Sequence, residues 1–179
     1  MKRWWGLCIT VLVLGAALAG CGQEPGYPED GYAEGEAGDA MHTYFFDYTL
    51  KGSDFCAEFE GTKPTREGDA FWIAEVSVTN TGESPITMYD VDFRAEWGEG
   101  DLYDAPITYY TAQLSEEQLP VKYELQGGEE RTGLLVFEIP AETEEVLLTY
   151  QEAFENGTKQ GELGDRFAVR VPLEALGED

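Results

Sequence analysis

The sequence contains few of the side chains on which most catalytic and metal sites depend. Its 179 residues include a single histidine, His42, and three cysteines. A Ser-His-Asp or Cys-His relay needs a rigidly held histidine, and His42 lies at the edge of a segment rich in glycine and acid. The GxSxG, Walker, HExxH and paired CxxC patterns are also absent. The sequence therefore predicts a protein that is not an enzyme and that carries no cofactor.

Basic residues are scarce as well. The chain has 11 lysines and arginines against 36 aspartates and glutamates, a formal net charge of −25 at pH 7. Nucleic-acid binding depends on basic side chains that neutralise phosphates, so this charge excludes a nucleic-acid partner. It also opposes contact with an anionic lipid surface, which favours a domain held off the membrane by a tether.

Only the N-terminus has a long hydrophobic run. Lys2-Arg3 precedes an uncharged stretch over 4–20, whose length suits either an export signal or a short membrane span. The run ends in LAGC, which resembles the bacterial lipobox, where the cysteine is fatty-acylated before the signal peptide is cleaved. We therefore predict a signal peptide at 1–20 and a lipidated Cys21 that anchors the chain to the extracytoplasmic face of the cell membrane. A plain membrane anchor and an ordinary secretory peptide are the alternatives.

Cysteine usage limits how the fold can be stabilised. Loss of the signal peptide and acylation of Cys21 would leave Cys56 as the last thiol of the chain. No intramolecular disulfide can then form, so the fold must depend on its hydrophobic core. Cys56 lies between aromatic residues in SDFCAEFE, where a packed, unreactive cysteine is commoner than a reactive or intermolecularly paired one.

Residues 21–41 combine the cysteine with an acidic segment, GQEPGYPEDGYAEGEAGDAM, that has no basic residue and no apolar period. This composition predicts a disordered tether. A flexible coil of that length would span roughly 25 Å.

From Tyr44 onward, apolar and polar residues alternate with the period of a half-buried strand. Such strands recur between glycine, proline, asparagine and aspartate, and helical periodicity is confined to single turns. We predict that residues 42–175 form an all-β, immunoglobulin-like antiparallel β-sandwich. The predicted inward residues are Tyr44, Phe46, Tyr48 and Leu50; Trp72, Ala74, Val76 and Val78; Tyr89, Val91, Phe93, Ala95 and Trp97; Leu135, Phe137 and Ile139; Val146, Leu148 and Tyr150; and Phe167, Val169 and Val171.

Glycine-containing turns separate these strands. The turn Asn80-Thr81-Gly82 is predicted to join the strand around Trp72 to MYDVDFRAEW as a hairpin, and a second turn at Gly127-Gly128 separates two further strands. In MYDVDFRAEW, Asp90 and Asp92 fall opposite the apolar residues. A solvated face explains this pair better than the two carboxylates of a glycosidase.

Four of these strand and turn features occur in a recognisable order. A strand ends in Asn80-Thr81-Gly82, the next contains Asp92-Phe93, Gly128-Glu129 precedes Gly133, and a strand finishes in Val-Phe-Glu-Ile-Pro. Over residues 42–172 this pattern resembles the telokin-like, immunoprotective-extracellular-protein-like domain of Gram-positive lipoproteins. The resemblance implies an immunoglobulin-like sandwich and a surface location, and it implies no catalytic residue.

The loop WGEGDLYDAP is a candidate calcium site. Glu99, Asp101 and Asp104 lie close together in it, and neighbouring glycine lets hard carboxylate oxygens converge on one ion. The spacing differs from that of an EF-hand. An unliganded acidic turn is the commoner interpretation of such a loop.

Three tyrosines in LYDAPITYY are a candidate stacking platform for sugar rings. Tyr103, Tyr109 and Tyr110 each combine an apolar ring with a polar tip. Neighbours in a strand point to opposite faces, so at least one of Tyr109 and Tyr110 is expected in the core.

Taken together, the sequence predicts a lipid-anchored, extracytoplasmic lipoprotein that acts as a non-catalytic binding module. Its partner would be a protein or a component of the cell envelope, in addition to the membrane that holds the anchor. The alternative is a calcium- or glycan-binding accessory module of a cell-envelope complex, and an enzyme is the third hypothesis.

Overall fold

The computed structural model describes residues 25–98, 102–154, 159–174 and 176, and this part of the chain consists mainly of β-strands. Short 3₁₀ helices lie at Asp90–Asp92 and Ile107–Tyr109. The predicted all-β class is confirmed. The strands are β1 (Tyr32–Glu36), β2 (Ala40–His42), β3 (Asp47–Cys56), β4 (Asp69–Thr79), β5 (Ile86–Tyr89), β6 (Phe93–Trp97), β7 (Leu102–Asp104), β8 (Lys122–Leu125), β9 (Glu130–Pro140), β10 (Glu145–Ala153) and β11 (Leu163–Pro172).

The strands form two facing sheets and a small ribbon. Sheet I has the order β1-β11-β10-β6-β7, sheet II has the order β2-β3-β4-β9, and β5 pairs with β8 in the ribbon. Neighbouring strands are antiparallel except β1 and β11, which are parallel. Immunoglobulin-like sandwiches place strands A, B and E in one sheet and C, F and G in the other. The same arrangement is present here, because β3, β4 and β9 lie in sheet II and β6, β10 and β11 lie opposite them in sheet I.

The apolar sides of the two sheets meet in a core rich in aromatic rings. Trp72 stacks on Phe137 with 5.3 Å between ring centroids, and Tyr48 meets Phe93 edge to face at 5.2 Å. Such pairs stabilise by about 0.5–1.5 kcal/mol beyond the burial of their area. The predicted inward residues that are buried are Phe46, Tyr48, Leu50, Trp72, Ala74, Val76, Val78, Phe93, Ala95, Leu135, Phe137, Ile139, Val146, Leu148, Tyr150, Phe167, Val169 and Val171.

Strand β4 is buried on its second face too. Phe71 and Ile73 point away from the main core and pack with Val136 and Ile107, so the segment between β7 and β8 covers the outer side of sheet II. This segment continues along β9, where Leu119 N donates to the carbonyl of Leu134 at 2.9 Å. Because both faces of β4 are covered, successive residues of the run FWIA are apolar, as expected for a strand that is buried on both sides.

The two ends of the sandwich differ in the chain segments they contain. At the near end lie the start of β3 and the end of β4, where Asp47 pairs with Thr79, together with the end of β10. At the far end Asp69 pairs with Pro140, and Trp97 pairs with Val146. The N-terminal segment enters at the near end, because the carbonyl of Gly26 accepts a hydrogen bond from His42 N at 2.9 Å.

The prediction of a disordered tether over 21–41 is wrong for its C-terminal half. Strand β1 pairs with β11 and strand β2 with β3, and Ala33 and Met41 are fully buried in the core. Composition missed these strands because the inward positions of β1 are small. A Cβ on Gly35 would lie 3.1 Å from Met41 Sδ, so the tight fit of β1 depends on glycine rather than on large apolar residues.

The hairpin predicted at Asn80-Thr81-Gly82 is also wrong, although the turn itself is present. Strand β4 pairs with β3 and β9, whereas β5 pairs with β8 and β6 pairs with β10 and β7. The chain crosses from sheet II towards sheet I after the turn. Alternation identifies strands but does not show which sheet a strand joins.

MYDVDFRAEW is not one continuous strand, and the prediction that Asp90 lies on a solvated face is wrong. A 3₁₀ helix at Asp90–Asp92 separates β5 from β6, which reverses the alternation, so that Tyr89 is exposed and Asp90 is only 1% exposed. Asp90 accepts a hydrogen bond from the Thr108 hydroxyl. Burial raises the pKa of the Asp90 carboxyl above its ordinary value, and the bond from Thr108 partly offsets that rise.

Candidate functional site

A groove of about 940 Å³ crosses the outer face of sheet I. It extends from Tyr32 on β1 and Arg166 on β11 to the loop between β9 and β10 at the far end. Strands β6, β7 and β10 supply the remaining lining. The volume falls within the range typical of ligand pockets, and side chains from distant parts of the sequence converge in it.

Arg170 is held in this groove by carboxylates on both sides. Its Nε donates to Glu34 Oε1 at 2.7 Å, and its Nη1 donates to Glu145. Tyr32 Oη donates to the other oxygen of Glu34 at 2.7 Å. The bonds from Arg170 and Tyr32 hold the pKa of Glu34 below its ordinary value, and burial together with the bond to Glu34 raises the pKa of Tyr32 to about 12. At neutral pH Glu34 is thus an anion and Tyr32 a donor.

Arg166 is oriented by a glutamate in the same way. It donates through Nη2 to Glu96, whose second oxygen accepts from Thr149 Oγ1 at 2.8 Å. The side chains of Arg166 and Arg170 are each 40% exposed. A guanidinium carries five N–H donors, so each arginine keeps donors for a ligand while its position is fixed by its glutamate partners.

The far part of the groove combines apolar walls with unpartnered polar atoms. Trp97, Leu102 and Leu147 line it together with Thr143. Thr143 is 8% exposed, and neither its Oγ1 nor the Nε1 of Trp97 has a hydrogen-bond partner within the described residues. Both atoms are buried behind the surface of the groove, and a buried polar atom without a partner costs about 1–3 kcal/mol.

Sequence reasoning missed these arginines. In RFAVRVPL only the inward residues Phe167, Val169 and Val171 were interpreted, although Arg166 and Arg170 occupy the outward positions. In a chain with 11 basic and 36 acidic residues, two arginines on one strand face were the available signal.

The predicted lipidation and calcium residues are only partly within the structure. Cys21, Glu99 and Asp101 lie outside the described residues. Asp104 accepts from Arg66 Nη2 at 2.7 Å and from Ala105 N at 2.8 Å, so both of its oxygens already have partners. Within the described ranges no group of three metal-ligating side chains comes together, and no helix is long and apolar enough to cross a membrane. The calcium site stays a prediction.

The three tyrosines do not lie in one strand, and neither Tyr109 nor Tyr110 is in the core. Tyr109 ends a 3₁₀ helix and is 74% exposed, and Tyr110 is also exposed. Tyr103 lies on β7, where Arg94 covers its ring at 5.0 Å. Among the ring contacts of the described residues, none joins two of these tyrosines.

The contacts of Cys56 and His42 indicate structural roles for both residues. Cys56 is partly buried, and burial raises the pKa of its thiol, as expected for a packed, unreactive cysteine. His42 Nδ1 lies 2.9 Å from Asp47 Oδ2, and Tyr27 stacks on its ring at 4.2 Å between centroids. No nucleophile joins this pair among the described contacts.

A second cavity, of about 490 Å³, lies at the near end between the start of β3, the ribbon and the end of β10. Its lining includes Phe45, Ile86, Met88 and Phe154, with the carboxylate of Asp92 at one side. No arginine is among the described residues that line it.

Comparison with known proteins supports the fold. No curated protein matches the chain. A candidate lipoprotein, YcdA from Bacillus subtilis, aligns with a TM-score of 0.57 and 16% identity over 74% of this chain and 38% of its own. YjhA from the same organism aligns with a TM-score of 0.47 and 20% identity over 65% of this chain and 79% of its own. An uncharacterized β-sandwich protein from Clostridium difficile aligns with a TM-score of 0.45 and 11% identity over 82% of this chain and 99% of its own. The chain thus spans little more than a third of YcdA, and the likeness to YcdA shows a shared fold.

The family comparison covers most of the sandwich. The matched family is described as a domain of unknown function, DUF4352, and the match runs over residues 37–160. It takes in β2 to β10, so it includes the part of the predicted tether that the structure shows as β2. The more specific telokin-like label stays a prediction. Because the match covers well over half of the sequence, the chain belongs to the DUF4352 family.

Proposed function

We propose that this chain is a lipid-anchored, extracytoplasmic binding module whose groove on sheet I holds an uncharged, hydroxyl-rich ligand such as a cell-envelope glycan. One observation carries the proposal. In the groove, Arg166 and Arg170 are fixed beside glutamates, so donors and acceptors are presented together in set positions. The LAGC sequence at 18–21 and the likeness to a candidate lipoprotein support the extracytoplasmic setting.

The charge of the lining selects the class of ligand. Four glutamates, Glu96, Glu142, Glu144 and Glu145, oppose an anionic ligand, and the two arginines are already paired with carboxylates, so they offer N–H donors rather than unpaired charge. A sugar hydroxyl both donates and accepts, so it can satisfy either kind of group without introducing charge. Tyr32 and Trp97 add ring surfaces of the kind that contact the apolar face of a sugar.

Binding without catalysis fits the state of Glu34, which borders the groove as the partner of Arg170, and of Glu96 in its lining. A glycosidase needs one carboxyl whose pKa is raised so that it can protonate the leaving group. Glu34 has the opposite shift, because the bonds from Arg170 and Tyr32 stabilise its anion and hold its pKa down. Glu96 is held in an ion pair with Arg166.

Replacing Arg166 or Arg170 with alanine is expected to weaken glycan binding by about tenfold or more, because a hydrogen bond from a charged donor contributes about 1.5–3 kcal/mol. Calorimetric titration of the mature chain with neutral glucose and N-acetylglucosamine oligosaccharides measures this effect. Arg131→Ala is the matched control, since Arg131 is similarly exposed but lies on sheet II over Tyr123. Saturable binding of polylysine or polygalacturonate in place of every neutral oligosaccharide would contradict the proposed ligand class.

The Cys21→Ala variant is expected to move from the membrane fraction to the soluble or secreted fraction. Two or more acyl chains hold a protein firmly on a bilayer, at about 0.8 kcal/mol for each buried methylene, and the variant cannot receive them. Fractionation with immunodetection measures the change. Cys56→Ala, which removes the other thiol of the mature chain, should stay with the membrane. Membrane retention of Cys21→Ala would count against the anchor.

A further inference from the structure

The link between the proposed lipid anchor and the folded domain is very short. Gly22, Gln23 and Glu24 separate Cys21 from Pro25, and Gly26 is already hydrogen-bonded to His42 N at the near end. Four Cα–Cα steps span at most about 15 Å. The near end therefore cannot lie as far from the lipid as a disordered tether over the whole of 21–41 would allow.

Aromatic side chains gather at this same end. Tyr44 is 73% exposed, and its ring contacts Phe45 and Phe154 at 5.1 and 5.3 Å between centroids. Phe45 and Phe154 are 5.3 Å apart, so the three rings form one cluster. Tyr27 is also exposed. We call the exposed Tyr27 and Tyr44, the half-buried Phe45 and the buried Phe154 beneath them the near-end patch.

The turn that carries Tyr44 is held rigidly. Glu152, which is buried, accepts from Tyr44 N at 2.7 Å through Oε1 and from Asp165 N at 3.0 Å through Oε2. Thr43 Oγ1 lies 3.1 Å from Phe45 N, which donates to it. Ordering an exposed ring costs conformational entropy, and here the fold has already ordered the backbone beneath it. The near-end patch is thus a preformed surface.

The chemistry of the near-end patch suits the headgroup region of a bilayer. Tyrosine combines an apolar ring with a polar tip and is enriched at membrane–water interfaces. Lys159 Nζ lies 4.8 Å from the centroid of Phe154 and supplies a positive charge at the margin. The net charge of the whole chain, −25, opposes an anionic surface, so the contact should be favoured by zwitterionic lipid.

We propose that the near-end patch rests on the lipid surface to which Cys21 is anchored, so that the far end of the sandwich points away from the membrane. This inference rests on the lipid anchor of the proposed function. Strand β11 has 10 residues and spans roughly 30 Å. The loop that closes the groove at the far end is therefore held about that distance above the lipid.

Fluorescence quenching by lipid tests this orientation. The acylated mature chain is reconstituted in phosphatidylcholine vesicles that carry a headgroup spin label, with tryptophan introduced as Tyr44→Trp or as Tyr109→Trp. The two sites are a matched pair, because Tyr44 is 73% and Tyr109 is 74% exposed but Tyr109 lies outside the near end. Trp72 and Trp97 give the same background in both variants. Quenching is expected to be several-fold greater for Tyr44→Trp than for Tyr109→Trp.

The outcomes separate the orientation from the anchor. Equal quenching of the two variants on protein that floats with the vesicles would overturn the orientation and leave the anchor intact. Failure of the acylated chain to float would overturn both. Anionic phosphatidylglycerol in the vesicles is expected to reduce the difference between the variants, and a larger difference there would contradict contact through the near-end patch.

Discussion

The Asn80→Ala variant is expected to lose about 3–5 kcal/mol of unfolding free energy. Asn80 is completely buried, and its side chain makes hydrogen bonds through both of its polar atoms. Its Oδ1 accepts from Gly82 N at 2.9 Å, and its Nδ2 donates to the carbonyls of Ser84 and Leu125 at 2.9 and 3.0 Å. Each bond contributes about 1 kcal/mol, and the backbone groups left buried without a partner add a further penalty.

The large effect follows from what Asn80 connects. Its Nδ2 holds the turn after β4 against Ser84, which precedes β5, and against Leu125 at the end of β8. The backbone hydrogen bonds of residue 80 with Glu129 and Gly128 remain in the alanine variant. Loss of the side chain should therefore loosen β5 and β8 as well as the end of β4.

Chemical denaturation followed by the fluorescence of buried Trp72 measures this effect. Asn80→Asp keeps the acceptor for Gly82 but places a carboxylate oxygen opposite two carbonyls, so it should also be strongly destabilising. Thr81→Ala changes the exposed neighbour and should stay within about 0.5 kcal/mol of the parent. A loss below about 1 kcal/mol in Asn80→Ala would show that the hydrogen bonds at this position are replaced by water.

Sequence periodicity predicted the strands that are buried on one face. In β11, Phe167, Val169 and Val171 point inward, with Arg166 and Arg170 on the other side. A half-buried strand shows this alternation of apolar and polar residues because successive side chains face the core and the solvent in turn. The immunoglobulin-like fold class could be predicted from such strands together with their turns.

Pairing and local reversals could not be predicted in this way. The residues Asn80-Thr81-Gly82 form a turn in either topology, and only the packing of the sheets decides that β4 pairs with β9 rather than with β5. At Asp90 a 3₁₀ helix shifts the alternation by one position. The burial of that carboxyl then depends on Thr108, which comes from another segment.

The groove was even less accessible to sequence reasoning. Its fixed donors and acceptors combine Glu34, Glu96, Glu145, Arg166 and Arg170, which lie on four different strands. No spacing rule relates these positions, because they become neighbours only when the order β1-β11-β10-β6 is formed. Because basic residues are scarce, two arginines on one face of a strand indicated a candidate site. The sequence could not show which glutamates would pair with these arginines.

The Met41→Ala variant is expected to lose about 2–5 kcal/mol of unfolding free energy, the range for truncating a fully buried large side chain. Met41 belongs to the main core and lies against Gly35, where it closes the space between β1 and β2. Chemical denaturation measures the loss, which should fall within one cooperative unfolding transition, because β1 and β2 are paired with β11 and β3.

Glu36→Ala is the matched control for Met41→Ala, since Glu36 lies in the same acidic segment but is exposed at the end of β1. A disordered tether would make both substitutions equally harmless, whereas a folded segment separates them by at least about 2 kcal/mol. The comparison also tests the proposed contact with the membrane. If Met41→Ala had no effect, residues 21–41 would form a flexible tether that could hold the domain roughly 25 Å from the lipid. The short link that places the near-end patch on the lipid surface would then be absent.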